Sequence, residues 1–469
     1  MWVRAMYIPK LMCTQHPDAT ERVTAQQEID EAIQAYTMYG CDEVMSDYEG
    51  KLTPYAQPKD IVIRALSLGI PIGEKTFITP RIPNLSLEDF DRVDLSIEAG
   101  LLANYYSIKL AGVQAVRWLI LPMVEDINTV KLVQRLILKK LSILKEELGI
   151  NIDPIQLIPL LEDAQSHMNV RSHVKALLLV LKDFNTDLDV LRVFLGKSDA
   201  AVKAGHIASA LSVVYALNEL YKLSEELGIE MKPIIGMGVP PFRGALNNPE
   251  LVVYTVQRYR GFNTATIQSA IRYDIPFRDY ITVKNTILEA TDLKPVNIDN
   301  NAVKIVEKAS EKYRRLASRY ISAIQKVAEA VPNTRDRVSW KDYGRLLPAQ
   351  SEKFSVPRAI VYTATWYSVG VPPIYLDADF IVDLYRSDEL DYILKLLPYL
   401  EKEWLYDSKF YVRNIALNRL DEYIIKKIDE ALDILGVKPE PSETYRALIE
   451  LNPIEPHISA LGRIRGFLG

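Results

Sequence analysis

Acidic side chains follow two adjacent strand-like segments of this sequence. The apolar run 158–161 stops at Glu162, and the apolar run 190–195 is followed four residues later by Asp199. Because successive parallel strands bring their carboxyl ends together, Glu162 and Asp199 could share one divalent cation. A single acid at such a junction would more often cap the following helix. Two acids on adjacent strands, without a cluster of cysteine and histidine, favour Mg²⁺ or Mn²⁺ over zinc.

Arginines lie near the ends of several other strand-like segments. Arg81 is held between Pro80 and Pro83, and Arg243 lies in the segment 236–244, which is rich in glycine and proline. A guanidinium group can bond two oxygens of a phosphate or carboxylate at once. One such arginine is more often structural, but several on one rim predict an anionic substrate beside the metal. The candidate substrate-binding residues are Arg81, Arg243, Gln268, Arg272, Arg345 and Arg358.

Composition limits the class of partner. Of 469 residues, 48% are hydrophobic and 25% are charged, and the net charge is −5. This acidic balance argues against nucleic acid or an anionic membrane as the main partner. Apolar runs fall short of the roughly 20 residues that a membrane span needs. Two cysteines, Cys13 and Cys41, and the lack of a secretory signal lead us to expect a cytoplasmic protein.

Strand-like and helical segments alternate through the first part of the chain. Apolar residues at i, i+3 and i+4 predict one-sided helices over 89–110, 129–148 and 202–227. Apolar strands that alternate with such helices indicate a parallel sheet covered by helices. Seven units favour a closed (β/α)8 TIM-type barrel, although the pattern does not place the eighth strand. The strand-like segments are 42–47, 75–82, 115–124, 155–162, 190–199, 233–238 and 263–270.

The last third of the chain is mainly helical in pattern, and no low-complexity linker separates it from the rest. We therefore expect one domain over 1–469. Within it, 1–275 carries most of the barrel strands, and 276–469 adds C-terminal helices and the remaining barrel unit. The helical segments of this part are 301–330, most of 377–405, and 411–435.

Two further residues stand out by their position. In a TIM-type barrel the active site lies at the carboxyl ends of the strands, and Lys197 lies at such an end. A lone histidine is more often a surface or capping group than a catalyst. His16 differs from the other histidines because it lies in a polar loop, stiffened by Pro17, before the first predicted strand.

Seven short segments combine these residues in distinctive motifs. They are Thr-Gln-His-Pro-Asp at 14–18, Asp-Tyr-Glu-Gly-Lys at 47–51, Thr-Pro-Arg-Ile-Pro-Asn at 79–84, Phe-Leu-Gly-Lys-Ser-Asp at 194–199, Phe-Arg-Gly at 242–244, the glutamine-to-arginine segment 268–272, and Ser-Val-Pro-Arg-Ala-Ile at 355–360. Taken together, these segments resemble phosphoenolpyruvate carboxylase, in its short archaeal form. The similarity runs in family order from Thr14 to about Pro373.

The resemblance implies that phosphoenolpyruvate and bicarbonate give oxaloacetate and phosphate, in an anaplerotic or carbon-fixing role, with Mg²⁺ or Mn²⁺. Bicarbonate attacks the phosphorus and forms carboxyphosphate and the enolate of pyruvate. Carboxyphosphate then releases CO₂, which the enolate carbon attacks. The resemblance also implies a homotetramer.

Residue roles follow from the same resemblance. Glu162 and Asp199 would hold the metal, and His16 would position carboxyphosphate and take its proton. Positive charge stabilises the phosphate, carboxylate and enolate oxygens. The arginines implied to supply it are Arg81, Arg243, Arg358 and, secondarily, Arg345.

The sequence also departs from the longer members of that family. They carry a lysine three residues after the metal-binding aspartate, where this chain has Val202. Lys197 or Lys203 could compensate, and Lys197 is favoured because it lies at the strand end. They also carry a second arginine in the glycine-rich loop, which is replaced here by 245–248, so Arg272 is the candidate for that charge.

Two other functions compete with this one. A metal-dependent aldolase or lyase acting on a pyruvate-like enolate would use the same acids and arginines but would not need the His16 loop. A non-catalytic scaffold would leave unexplained why acids and arginines repeatedly end apolar strands.

Overall fold

The computed structural model describes residues 7–16, 18–122, 126–186, 188–337, 346–349 and 352–469. The predicted substrate residue Arg345 lies outside these ranges, so its role stays a prediction. No helix in the described ranges is long and apolar enough to cross a membrane.

Eight parallel strands form a closed barrel, which confirms the predicted fold class. The strands are β1 Leu11–Cys13, β2 Glu43–Asp47, β3 Phe77–Arg81, β4 Trp118–Pro122, β5 Gln156–Leu161, β6 Val190–Gly196, β7 Glu230–Gly236 and β8 Thr264–Ile267. Each strand pairs with the next one along the chain, and β8 closes the barrel on β1. The seven strand-like segments of the sequence correspond to β2 through β8.

The eighth strand is β1, at the start of the barrel. The expectation that the remaining barrel unit lies within 276–469 is therefore wrong. β1 is only three residues long, which is too short for an apolar run or an alternation to reveal it. Its pairing with both β2 and β8 buries it, so its place is fixed by neighbours that are distant in sequence.

Helices surround the barrel and make up most of the chain after it. They are α1 Gln27–Thr37, α2 Gln57–Ser67, α3 Phe90–Ala111, α4 Ile127–Leu148, α5 Ala164–Met168, α6 Val170–Asp183, α7 Lys197–Ala204, α8 His206–Leu227, α9 Val252–Arg258, α10 Ser269–Tyr273, α11 Phe277–Ala290, α12 Asn301–Ser318, α13 Ile321–Glu329, α14 Ala359–Ser368, α15 Ala378–Arg386, α16 Leu390–Leu396, α17 Leu400–Ser408, α18 Arg413–Arg419, α19 Glu422–Leu435, α20 Glu443–Ile449 and α21 Glu455–Arg465. A short antiparallel pair, β9 Leu346–Ala349 and β10 Glu352–Ser355, precedes α14.

Side chains alternate along each strand between the barrel interior and the helix layer. In β5, Ile158 and Leu160 join a small apolar cluster to which seven of the strands contribute. Leu157 and Leu161 instead pack into the larger core that includes the surrounding helices. This double burial explains why most strand residues are apolar.

A buried ion pair crosses the barrel interior. Arg192 of β6 donates from Nη1 and Nη2 to the two carboxylate oxygens of Glu43 of β2, at 2.8 and 2.7 Å. Both side chains are 0% exposed. Nη2 of Arg192 also donates to Thr264, at 3.2 Å, and the guanidinium lies 4.6 Å from the ring centroid of Trp118. The pair links opposite walls of the barrel.

Replacing Arg192 with methionine is expected to lower the free energy of unfolding by about 3–5 kcal/mol, because Glu43 would remain as a buried charge without its partner. Denaturant unfolding measures this change. The double variant Arg192→Met with Glu43→Leu should recover most of the loss. As a control, Lys426→Met removes an ion pair with Glu422, whose side chains are 68% and 70% exposed, and should cost less than about 1 kcal/mol. Equal costs for the buried and exposed pairs would contradict the assignment.

The C-terminal helices reach the carboxyl end of the barrel. The backbone N–H of Leu468 donates to the carbonyl of Asp18, at 2.9 Å. The carbonyl oxygen of Gly469 accepts from Nη1 of Arg243, at 2.5 Å. Helix α14 begins directly after Arg358, which lines a cavity at these strand ends. The helical additions therefore supply part of the wall around the strand ends.

Candidate active site

A cavity opens at the carboxyl ends of the barrel strands and carries charges of both signs. Residues that end or follow seven of the strands line it, together with the start of α14. Its apolar floor includes Met45, Leu160 and Phe194. The acids in its wall are Asp47, Glu49, Glu162 and Asp199. The cations in its wall are Lys51, Arg81, Arg243, Arg337 and Arg358.

Arg81 is fixed by the carboxylates around it. Its Nε and Nη2 donate to the two oxygens of Asp47, at 2.8 and 2.7 Å, and Asp47 lies opposite it in the β2–β3 register. Its Nη1 lies 2.9 Å from Glu49 and 3.6 Å from Glu162. Burial lowers the pKa of Arg81, but Asp47 and Glu49 outweigh that effect and raise the pKa well above its ordinary value. Arg81 thus holds a permanent charge in a fixed orientation at the cavity.

The two predicted metal ligands lie in the same cavity. Glu162 directly follows β5, and Asp199 is the third residue of α7, which starts where β6 ends. Their exposed fractions are 6% and 9%. Gly196 lies beside Glu162: an added Cβ there would be 3.3 Å from Cγ of Glu162, so the absent side chain leaves room for that acid.

These two acids fit a hard divalent cation. Mg²⁺ is usually held by one or two carboxylates, with water and substrate phosphate completing its shell. In the part of the chain that the structure describes, no group of three or more histidine, cysteine or acidic side chains is arranged to hold a metal. A pair of carboxylates is a donor set that Mg²⁺ or Mn²⁺ accepts, whereas a structural zinc takes four ligands, mainly cysteine and histidine.

Arg243 bonds to side chains from several parts of the cavity wall. Its Nε donates to Oγ of Ser198 at 3.0 Å, and its Nη2 donates to Oε1 of Gln268 at 2.5 Å. Its Nη1 lies 3.1 Å from Asp18, which belongs to the loop after β1. Gly238 permits this arrangement, because a Cβ there would lie 3.0 Å from Cζ of Arg243. The contacts join the ends of β1, β6, β7 and β8 around one guanidinium.

Comparison with known proteins shows the family of the chain. A family model described as phosphoenolpyruvate carboxylase matches residues 8–469. The chain belongs to the phosphoenolpyruvate carboxylase family. A phosphoenolpyruvate carboxylase of Thermofilum pendens is 54% identical over 464 residues, covering 99% of this chain and 100% of the relative. One of Pyrobaculum aerophilum is 50% identical over 465 residues, covering 99% and 100%.

More distant proteins match over nearly the same length. A phosphoenolpyruvate carboxylase of Methanosarcina barkeri is 30% identical over 487 residues, covering 96% of this chain and 92% of the relative. A solved structure of Haloferax volcanii malate synthase, with magnesium and glyoxylate, matches with a TM-score of 0.43 and 10% identity, covering 90% of this chain and 97% of that one.

The histidine that resemblance to the phosphoenolpyruvate carboxylase family singled out does not line the cavity. His16 is fully buried in the loop after β1. Its Nδ1 lies 3.0 Å from Oε1 of Glu31, and its Nε2 lies 2.6 Å from the carbonyl oxygen of Glu21. Both partners are acceptors, so both bonds form only when the imidazole carries two protons. Burial raises the pKa of Glu31, but the bond from His16 and the charge of Arg272 outweigh it and lower that pKa to about 2.

Arg272 lies behind the same loop rather than in the cavity wall. Its Nη2 donates to the carbonyl of Thr14 at 2.7 Å, and its Nη1 lies 4.0 Å from Glu31. The guanidinium is sandwiched near the rings of Tyr39 and Tyr273, at 5.8 and 5.5 Å. These contacts make it a support for the His16 loop.

Lys197 also turns away from the cavity. Its Nζ donates to the carbonyl of Phe242 at 2.9 Å and lies 3.3 Å from Nδ1 of His206. Nε2 of His206 lies 2.9 Å from Glu403 of α17, which also accepts from Arg258 at 2.6 Å. Burial lowers the pKa of Lys197 to about 7. Through its bond to the carbonyl of Phe242, Lys197 fixes the backbone next to Arg243.

The structure brings together most of the predicted site and adds residues to it. Arg81, Glu162, Asp199, Arg243, Gln268 and Arg358 line one cavity. Lys51 and Arg337 line it too, although the sequence analysis assigned them no role. A role for Lys51 could have been predicted from the sequence, because Lys51 closes the segment 47–51 that begins at the end of a strand. Arg337 follows no strand, and nothing in its sequence context marks it.

A buried histidine supports the backbone before Glu162. Nε2 of His167 donates to the carbonyl of Leu161 at 3.0 Å, which leaves Nδ1 to accept from the hydroxyl of Ser212 at 3.0 Å. Burial lowers the pKa of His167 to about 4, so the ring is neutral near pH 7.

Acid should destabilise the fold through His167. Between its ordinary pKa near 6.5 and its folded value of about 4, the unfolded chain binds a proton that the folded chain does not. Stability contributed by this residue is therefore present above pH 6.5 and is lost as pH falls towards 4, by up to about 3 kcal/mol. The variant His167→Gln keeps a donor for Leu161 without titrating. Calorimetric unfolding between pH 4 and 7 should show a shallower loss in this variant; identical pH slopes would contradict the account.

Proposed function

We propose that this chain carboxylates phosphoenolpyruvate with bicarbonate and releases oxaloacetate and phosphate. The observation that carries the proposal is the cavity at the barrel mouth, where guanidinium groups and two candidate metal ligands surround one space. Phosphate, carboxylate and enolate oxygens all carry negative charge, and fixed cations stabilise such oxygens best where water is excluded. Family membership over residues 8–469 supports this substrate class.

Each side chain has a proposed task in this reaction. Bicarbonate oxygen attacks phosphorus, the bond from phosphorus to the enol oxygen breaks, and Arg81, Arg243 and Arg358 neutralise the oxygens that gain charge. Gln268 orients Arg243 through their hydrogen bond. Carboxyphosphate then gives CO₂ and phosphate, and the enolate carbon adds to CO₂. The proton of bicarbonate ends on phosphate.

Glu162 and Asp199 are proposed to hold Mg²⁺ or Mn²⁺, which when bound supplies positive charge to the enolate and phosphate oxygens. The apolar floor formed by Met45, Leu160 and Phe194 limits the water that could protonate the enolate to pyruvate.

His16 keeps its proposed role in positioning carboxyphosphate and moving its proton. Nε2 is bonded to the carbonyl of Glu21 in the described geometry, so this role requires that contact to open. Glu31 would then hold the ring through Nδ1 and stabilise its charge.

Several broader properties are proposed on the same basis. The resemblance supports a homotetramer and one domain over 1–469, and the two buried free cysteines are consistent with a cytoplasmic location. An aldolase or lyase acting on a pyruvate-like enolate is the less favoured function, because relatives across the whole chain are phosphoenolpyruvate carboxylases.

Asp199→Asn tests the metal assignment. The protein is assayed by coupling oxaloacetate to malate dehydrogenase and following NADH oxidation. The unaltered chain should need both phosphoenolpyruvate and bicarbonate, and the variant should need far more Mg²⁺ or lose turnover, because a neutral amide binds Mg²⁺ weakly. Asp183→Asn, whose side chain is 63% exposed, should behave as the unaltered chain. Unchanged Mg²⁺ dependence in Asp199→Asn would remove it from the metal site.

His16→Asn tests the second half of the reaction. We expect it to abolish oxaloacetate formation while some bicarbonate-dependent phosphate release remains, because the first step does not need this ring. Phosphate and oxaloacetate are measured in parallel, with His457→Asn on α21 as the control. Full oxaloacetate formation by His16→Asn would remove His16 from the mechanism.

A further inference from the structure

We propose that Lys51 binds anionic oxygens of the phosphorylated substrate and is a catalytic residue of this site. The inference rests on the proposed function and extends it to a residue that the sequence analysis left without a role. Lys51 is the only lysine among the described residues that line the cavity. Lys197, which was expected to supply an ammonium, contacts Phe242 instead.

The backbone places Lys51 at the cavity by a tight turn after β2. Gly50 has a φ of +62°, a left-handed conformation that glycine adopts without strain, and the N–H of Lys51 donates to the carbonyl of Tyr48 at 3.3 Å. Arg92 of α3 donates to the carbonyl of Lys51 at 2.7 Å. Glu88 holds Arg92 at 2.6 Å. The residue is therefore positioned by the barrel and by α3 together.

The side chain of Lys51 pairs with Asp47 and still has N–H donors that could bind a ligand. Lys51 is 4% exposed, and its Nζ forms an ion pair with Oδ2 of Asp47. An ammonium has three N–H donors, so one bond to Asp47 leaves two for a ligand. Asp47 already accepts two hydrogen bonds from Arg81. Two cations thus share Asp47, and Arg81 also lies 2.9 Å from Glu49, so the charge of Asp47 is not reserved for Lys51.

Burial of the ammonium group of Lys51 favours the binding of an anion beside it. Burial lowers the pKa of Lys51 to about 7, opposed by Asp47 and reinforced by Arg335 and Arg81. The carboxylate alone therefore does not fully offset the cost of burying the ammonium. An anionic ligand would supply the missing negative charge, as expected for a substrate-binding lysine.

Kinetics of Lys51→Met give the first test. Loss of a charged hydrogen bond in a desolvated site should lower kcat/KM for phosphoenolpyruvate by roughly thirtyfold or more. Lys59→Met, which removes a lysine of α2 that is 31% exposed, is the control and should stay within about twofold. If Lys51 only balances the charge of Asp47, the folded variant should lose stability but keep its kcat/KM, and the proposal fails.

Labelling of the unaltered protein gives a second test that needs no variant. An amine-acylating reagent is applied with Mg²⁺, and modified lysines are mapped by mass spectrometry with and without phosphoglycolate, an unreactive anion that carries phosphate and carboxylate. Protection of Lys51, with unchanged labelling of Lys59, supports the proposal, and equal labelling of Lys51 overturns it. Inorganic phosphate and oxalate are then used separately, so that the protecting anion shows whether Lys51 faces the phosphate or the carboxylate.

The two tests also separate this inference from the proposed function. If the unaltered chain makes no oxaloacetate, the proposed function fails, while protection by phosphoglycolate would still identify Lys51 as an anion ligand. If oxaloacetate forms but neither phosphate nor oxalate nor phosphoglycolate protects Lys51, only the inference about Lys51 fails.

Discussion

The site depends on the pairing of buried carboxylates with guanidinium groups at one end of the barrel. A charge removed from water is costly unless another charge and several hydrogen bonds compensate it. Asp47 meets that cost for Arg81, and Asp18 and Gln268 meet it for Arg243. The cations are therefore already oriented in the cavity before a substrate arrives. Their orientation need not be established at the moment of reaction.

The fold places these pairs by ordinary barrel geometry. Parallel strands end at one edge, so residues that follow different strands meet there although they are far apart in sequence. Asp47 and Arg81 are direct partners in the register of β2 and β3. The C-terminal helices complete the wall by bringing Arg358 and the last residue, Gly469, to the same edge. The buried pair of Arg192 and Glu43 links β6 to β2 inside the barrel.

Strand ends could be predicted from sequence, but side-chain directions beyond them could not. Arg81 ends β3 and Glu162 directly follows β5, and this position at the strand ends predicts that both line one cavity. Lys197 also follows a strand, yet it begins α7 and its ammonium reaches Phe242. His16 lies in the loop after β1, where its ring bonds to Glu31 and to the carbonyl of Glu21. Arg272 lies behind that loop and bonds to the carbonyl of Thr14. β1 was missed because three residues carry too little periodicity, and its place depends on β8.

The most direct measurement is a crystal structure of the protein with Mn²⁺ and phosphoglycolate, with the metal located by anomalous diffraction. The account predicts one metal peak between the carboxylates of Glu162 and Asp199, and a phosphate bonded to the guanidinium groups of the barrel mouth. A metal bound elsewhere, or a ligand bound away from Arg81 and Arg243, would contradict it.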